Sequence, residues 1–363
     1  MARTFRRLWP QLVSWQNLLT AYQRCRRRKR YRKPATEFDF AWEEELLTLQ
    51  RELIEQTYLP GLYHHFHISD PKPRKISAAP FRDRIVHHAL VQVLEPLLER
   101  SFVGDTYACR RGRGTHAAIL RAQEFQKRFA WVMQTDIVRF FPSVDHEILM
   151  GVLQRRIADP EVLELISLIL RTNTGDHDES AAPVWFPGDD LFSPLRPKGL
   201  PIGNLTSQFF ANVLLNPADH YIKERLRIPG YVRYADDLLL FSNDRHSLWE
   251  AKHSLQQYLN EYRLRLHPRK TQVQPAKQWL TWLGMRIRGS QCRLSQQGIQ
   301  RFLRRMRRQR ALYEAGALDS ETIRKSLQAW LGHTELLSSN TLIKSLIYQH
   351  CVFSKHPPQP GSR

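Results

Sequence analysis

Cysteine is scarce in this chain: four in 363 residues, at positions 25, 109, 292 and 351. None belongs to a C-x-x-C pair, which argues against a zinc site and fits thiols kept reduced. Long apolar runs are missing too. No stretch approaches the roughly 18 residues that would cross a bilayer. The first twenty residues hold no continuous apolar segment of the signal-peptide kind. A cytoplasmic protein with no membrane partner is expected. Carboxylates are the third deficit: 35 Asp and Glu stand against 55 Lys and Arg, a formal net charge of +20. That imbalance says little about fold and much about partners, and it points to nucleic acid or an anionic membrane surface. What is present, 42% hydrophobic and 10% aromatic residues, suffices for a sizeable core.

The basic residues are unevenly spread. Residues 1–36 contain eleven Lys or Arg and no acid. The densest part, RCRRRKRYRK (24–33), predicts an arm along phosphates, with Arg26, Arg27, Arg28 and Lys29 as contacts and Tyr22 and Tyr31 free to stack on bases. Helical spacing runs from Phe38 to about Tyr58 and breaks at Pro60-Gly61. Extended segments fill 63–84. His64, His65 and His67 lie there, but strand alternation sends neighbours to opposite faces and no ligand cluster follows, so no metal site is expected. An amphipathic helix spans 83–102, with Asp83 as its N-cap. The loop GDTYACRRGRG leads into another helix and offers Arg111 and Arg113 to phosphate. Residues 130–157 read as strand, turn and helix, with Asp145 as a cap. Residues 172–198 are loop-rich, and 204–226 are helical, with a kink or restart expected at Asn216-Pro217. A helix over 246–263, a strand pair in WLTWLGMRI (279–287) and a basic helical region from 295 to 347 complete the pattern. No internal repeat is visible.

One stretch breaks the rule that carboxylates avoid apolar surroundings. RYADDLLLF (233–241) sets Asp236 and Asp237 between two apolar strands. Asp136 ends the apolar strand WVMQTD. A strand ending in Asp beside an Asp-Asp turn gathers three carboxylates at one sheet edge. Such charges repel unless a cation joins them. Oxygen-only ligands suit Mg²⁺. Two such ions, about 3.5–4 Å apart, catalyse in-line nucleotidyl transfer.

At this point the sequence resembles the reverse transcriptases. YADD between apolar strands resembles their signature. QTDIVRFFPSVDH resembles their first palm motif, and GLPIGNLTSQFFANVLLNPADHYI their template- and nucleotide-gripping helix. HPRKTQ and WLGMRI resemble the next two motifs. PRKISAAPFRDRIVHHALVQVLEPLLE and DTYACRRGRGTHAAI resemble the fingers motifs of bacterial retroelement enzymes. Six matches in order, over roughly residues 38–350, make the resemblance specific. It implies an α+β right-hand polymerase: a basic N-terminal arm (1–37), fingers and a palm with an antiparallel sheet (38–285), a helical thumb (286–350) and a disordered tail (351–363).

The resemblance also implies roles. Asp136, Asp236 and Asp237 would be catalytic metal ligands, with the main-chain carbonyl of Ile137 as a further one, holding two Mg²⁺ ions for which Mn²⁺ could substitute. Phe141 would be the steric gate that favours dNTPs over ribonucleotides. Lys270 would protonate departing pyrophosphate. Lys75 and Arg84 would grip the triphosphate, with Arg82 as competitor to Arg84. Ile202, Gly203 and Gln208 would line the nucleotide site. Arg304, Arg305 and Arg308, in RFLRRMRRQR, would hold the primer–template backbone. The partners implied are template RNA, primer, cDNA and dNTPs.

LPIGNLTSQ departs from the usual pattern, with Ile202 where many reverse transcriptases carry glutamine. This variant is similar to enzymes of diversity-generating retroelements, which copy template RNA with errors at adenines and commonly work with a small basic oligomeric accessory protein. A retron, group II intron-like or anti-phage enzyme is the alternative. A catalytically dead RNA-binding relative is disfavoured by the three carboxylates.

Overall fold

The computed structural model describes residues 4–27, 33–68, 74–172, 183–337 and 340–350. Arg28, Lys29, Tyr31 and the expected tail lie outside them. The first third contains α1 (Trp9–Leu12), α2 (Trp15–Arg26), α3 (Lys33–Phe40), α4 (Trp42–Ile54), β1 (His64–Ile68), β2 (Arg74–Ala78), α5 (Phe81–Leu98) and α6 (Thr115–Arg128). The middle contains β3 (Trp131–Asp136), α7 (Phe140–Ser143), α8 (His146–Gln154), α9 (Pro160–Arg171), α10 (Leu205–His220), β4 (Gly230–Tyr234), β5 (Asp237–Ser242) and α11 (Arg245–Asn260). The last part contains β6 (Gln272–Pro275), β7 (Leu280–Trp282), β8 (Met285–Arg288), β9 (Gln291–Leu294), α12 (Gln296–Glu314), α13 (Ser320–Thr334) and α14 (Asn340–His350). No helix of the described residues is long and apolar enough to cross a membrane.

The central antiparallel sheet has the order β4-β5-β3-β6. Strands β3, β4 and β5 bury apolar residues on both faces because two cores meet across them. Met133, Tyr231, Leu238 and Leu240 face a core shared with α2, α4, α5 and α8–α11. Val132, Val232, Leu239 and Phe241 face a second core built with α6, β7–β9 and α12–α14. The unbroken run LLLF is therefore a strand buried on both sides. A β7-β8-β9 sheet forms the floor of the second core and straddles 285/286, so the palm–thumb boundary expected there cuts through a sheet.

The N-terminal segment corrects another expectation. Residues 15–26 are not an extended arm but a helix, capped by Ser14, whose hydroxyl accepts from Asn17 N at 3.3 Å. Leu18, Ala21, Tyr22 and Cys25 form its buried stripe. Tyr22 stacks on Trp42 at 5.5 Å and its hydroxyl donates to Asp39 at 2.6 Å, so it is not free for bases. Arg26 is held by the same Asp39 at 2.6 Å. Arg27 remains exposed. The segment is further stitched down by Asp159, a buried cap shared by two helices. Its carboxylate accepts from Leu8 and Trp9 N–H at the start of α1, and from Val162 N–H in α9.

Two helix expectations also need amendment. α5 starts at Phe81 rather than at a cap on Asp83, which instead accepts from Tyr58 Oη (2.7 Å) and Gly61 N (2.8 Å). α10 runs through Pro217 without restarting, and a π-helical turn (Tyr221–Arg225) follows. Asp145 does cap α8, accepting from Ile148 N at 3.0 Å.

Candidate active site

Antiparallel pairing brings the carboxylates together. In the β3–β5 register Asp136 lies directly opposite Asp237. Tyr234 pairs with Asp237 across β4 and β5, which leaves Ala235-Asp236 as a two-residue turn. Ile137 N donates to the Asp236 carbonyl at 3.2 Å, fastening the turn to the end of β3. Ala235 has φ +55°, the left-handed region that favours glycine. A side chain held there is a local strain that the surroundings must enforce.

Those surroundings centre on Arg233. The residue is 1% exposed, and its guanidinium is ion-paired with buried Asp219 on α10, through Nε at 2.7 Å and Nη2 at 2.6 Å. Tyr231 Oη donates to the same carboxylate at 2.6 Å. Arg233 Nη1 donates to Asn212 Oδ1 at 3.0 Å and to the Ala235 carbonyl at 3.1 Å. The arginine thus spans from the core to the residue before Asp236.

Lys270 arrives from the other side. Val138 N donates to the Arg265 carbonyl and His267 N to the Asp136 carbonyl, both at 2.8 Å. Thr135 and Thr271 hydroxyls meet at 2.7 Å. These bonds lay 265–271 along the end of β3, and the Lys270 ammonium forms an ion pair with Asp136 Oδ2. Asp136 Oδ1 is buried with no partner. Burial pushes the Asp236 carboxyl above its ordinary range and the Asp136 charge adds to this, while the charges of Arg74 and Lys270 pull it back.

Among the described residues no group of three His, Cys, Asp or Glu forms a ready metal cage. The donor chemistry still fits a hard divalent cation. All available ligands are oxygens, one carboxylate oxygen is buried and orphaned, and a second carboxyl is desolvated beside it. Ile137, whose carbonyl was the further candidate ligand, is buried at the end of β3.

The other expected residues fall into two groups. Phe141 packs partly buried against the main core, and its carbonyl accepts from Leu200 N at 2.8 Å. That bond, with Gly199 N to Val144 O at 2.8 Å, joins the Asp136–Phe141 turn to the Ile202 segment. Ile202 in turn is strapped to β2. Ser77 N donates to its carbonyl at 3.0 Å, and Asn204 Nδ2 donates to the Ser77 carbonyl at 2.9 Å. Gly203 has φ +117°, and a Cβ there would meet Ile76 Cγ2 at 2.9 Å. Gln208 is exposed on the first turn of α10, and Lys75 is half-buried in β2.

Arg84 Nε donates to the Ala79 carbonyl at 2.7 Å, whereas Arg82 is ion-paired with Glu52 and lies over the Tyr58 ring at 5.5 Å. Arg111 and Arg113 are exposed, Arg113 5.4 Å over Tyr107. Arg304, Arg305 and Arg308 are exposed on α12. Arg26 is part-exposed and ion-paired with Asp39. Arg74, Arg233 and Asn204 were not singled out from sequence.

Residues 69–287, more than half of the chain, match the family described as reverse transcriptase (RNA-dependent DNA polymerase). Protein YkfC of Escherichia coli (strain K12) is 31% identical over 189 residues, half of this chain and 46% of that protein. Group II intron-encoded protein LtrA of Lactococcus lactis subsp. cremoris is 23% identical over 50% of this chain and 28% of its own. Nuclear intron maturase 1, mitochondrial, of Arabidopsis thaliana is 33% identical over 25% of this chain and 13% of its own. The matches thus span less than half the length of these relatives. Among solved structures, apo telomerase from Candida tropicalis aligns with 71% of this chain and 54% of its own at a TM-score of 0.48 and 11% identity. Helices combined with antiparallel sheets, and the family matched across them, give the chain the α+β right-hand polymerase fold, and it belongs to the reverse transcriptase (RNA-dependent DNA polymerase) family.

Proposed function

We propose that the chain is an RNA-directed DNA polymerase that extends a primer on template RNA with dNTPs, and that it serves a diversity-generating retroelement by making cDNA with errors at template adenines. The observation that carries the polymerase reading is Asp136 opposite Asp237, with Asp236 in the adjoining turn and Lys270 on Asp136. Asp136, Asp236, Asp237 and the Ile137 carbonyl would hold divalent ions, as reverse transcriptases in general use. Bound Mg²⁺, with Mn²⁺ as substitute, would supply the charge that activates a 3′-hydroxyl and steadies pyrophosphate.

Around that centre the chain's own groups bind and orient. Phe141 closes the sugar side against a 2′-hydroxyl. Lys75 and Arg84 grip phosphates, aided by Arg74, whose charge reaches Asp236. Lys270 moves a proton to the leaving group. Arg304, Arg305 and Arg308 hold primer–template backbone. Primer extension by purified protein, with Asp236→Ala as control, tests this; a variant as active as wild type overturns the assignment.

The retroelement reading rests on Ile202. A branched aliphatic side chain in place of an amide removes a hydrogen-bonding contact near the incoming nucleotide. Base choice then leans on shape, which discriminates weakly. A small basic oligomeric accessory protein would be the partner. Sequencing cDNA from wild type and Ile202→Gln tests it, and equal adenine error rates overturn it. The names of LtrA and the intron maturase favour a second reading, a group II intron-like enzyme. A template and variable repeat pair differing only at adenines beside the gene would decide for the first.

A further inference from the structure

Helix α4 carries two apolar lines. Leu46, Leu49 and Leu53 form the one buried in the core. Leu47 and Ile54 form the other, roughly a third of a turn away around the helix, and they are 50% and 55% exposed. Seven residues apart, they stand on one line about 10.5 Å long. Apolar exposure continues in the chain on either side. Phe40, the last residue of α3, is 96% exposed, and Leu59 and Leu62, just beyond α4, are exposed as well. A single exposed leucine needs no explanation; five large apolar side chains between positions 40 and 62 are the pattern of a contact face.

The same stretch inverts the charge of the chain. Residues 37–55 hold seven Asp or Glu and one Lys or Arg, in a chain of net charge +20. Three of these acids are engaged: Glu37 with Lys33, Asp39 with Arg26 and Glu52 with Arg82. Glu43, Glu44, Glu45 and Glu55 are exposed and form no ion pair among the described residues. By helical spacing Glu43 heads the Leu47–Ile54 line, Glu44 and Glu55 flank it with Arg51 between them, and Glu45 lies off it. The helix dipole favours carboxylates in the first turn, where Glu43, Glu44 and Glu45 sit. It gives no reason for Glu55 at the opposite end, nor for the apolar line.

We infer that this face of α4 docks a basic amphipathic helix of another protein. The partner's apolar residues cover Leu47 and Ile54, and its Lys or Arg side chains meet Glu43, Glu44 and Glu55. The inference stands apart from the polymerase reading. Anchors seven residues apart suit a helix laid along α4, the spacing by which helices recognise one another. Nucleic acid does not fit, because the flanking carboxylates repel phosphates. A second copy of the chain does not fit either. Laying α4 on α4 sets glutamates against glutamates, with one Arg51 per helix to offset three of them. The chain's own basic helix, α12, already buries its apolar residues Phe302 and Met306 in the second core, so it offers charge without a matching apolar line.

The test compares full-length wild type with two variants, after thermal melts establish equal folding. One is Leu47→Ser, Ile54→Ser; the other is Glu43→Gln, Glu44→Gln, Glu55→Gln. The probes are fluorescent synthetic helices of about three heptads: one of Leu and Lys, one with every Lys replaced by Glu, and one with every Leu replaced by Ser. The Leu/Lys helix should bind wild type at least tenfold more tightly than it binds either variant, and its binding should weaken with salt less steeply in the glutamine variant. The other two helices should bind wild type at least tenfold more weakly than the Leu/Lys helix does. Absence of Leu/Lys binding, equal binding to wild type and the serine variant, or a Leu/Glu helix that binds as well overturns the surface. So does a wild-type dimer, or an affinity for RNA, that the serine variant loses. Primer extension should be the same in all three proteins. A wild type that extends no primer overturns the polymerase reading alone, and the peptide comparison still decides the surface.

Discussion

Arg233 Nη1 donates to the Ala235 carbonyl at 3.1 Å, and so ties a buried ion pair to the residue before Asp236. The turn holds a non-glycine residue at φ +55°, and this bond is one of the forces that keep it there. Arg233→Met strands Asp219 in the core and should cost about 3–5 kcal/mol in urea unfolding. The double variant Arg233→Met, Asp219→Asn removes the stranded charge while leaving Tyr231 an acceptor. It should recover most of the stability without recovering primer extension, because the Ala235 carbonyl still lacks its donor. Full recovery of both would reduce the arginine to a structural role.

Gly203 fastens the Ile202 segment to β2. Its φ of +117° lies where L residues rarely go, and a Cβ would press on Ile76 at 2.9 Å. Gly203→Ala should cost about 1–3 kcal/mol locally. Because the residue is exposed and the strap lies beside Ser77 and Asn204, global stability should fall less than nucleotide binding. The expected readout is a several-fold rise in KM for dNTP at nearly constant melting temperature; unchanged KM would detach the strap from the nucleotide site.

Acid stability should respond to His87. The ring is fully buried in α5, its Nδ1 has no partner, and burial, with the charges of His88 and Arg84, pulls its pKa from 6.5 down to about 3. The unfolded chain takes up this proton below pH 6.5 while the folded chain does not. The stability from the neutral ring is therefore complete above pH 6.5 and is lost as pH falls towards 3, at about 1.4 kcal/mol per unit. His87→Leu should flatten that part of the curve. Unfolding free energies at pH 7 and pH 5 check it: the difference between the two pH values should shrink by roughly 2 kcal/mol.

Local pattern made much of this structure readable, and three-dimensional pairing decided the rest. The strands around Ala235-Asp236-Asp237 follow from the flanking apolar runs, and pairing β3 with β5 then sets Asp136 against Asp237. The stripe Leu18, Ala21, Tyr22 and Cys25 was present at helical spacing too, but the density of arginine around it masked the face it buries. Arg74 and Arg233 carry no local signal. One acts on Asp236 by its charge from β2, far away in sequence, and the other is an arginine within an apolar strand whose partner, Asp219, is fourteen residues earlier. Lys270 is legible only as part of a motif, since its contact with Asp136 depends on the 265–271 segment lying along β3.

That contact sets the last prediction. Lys270 is paired with Asp136 Oδ2 before any substrate arrives, so it can serve by its charge, by its proton or by both. Lys270→Met removes both, and should lower kcat about 10²-fold, the lower range for loss of a general acid, with little change in KM for dNTP. Lys270→Arg separates them. A guanidinium keeps the positive charge beside Asp136 but does not release its proton at working pH. If the proton matters, Arg should restore thermal stability yet leave kcat near that of Met. If Arg restores kcat to within a few-fold of wild type in single-turnover extension, Lys270 acts by charge alone.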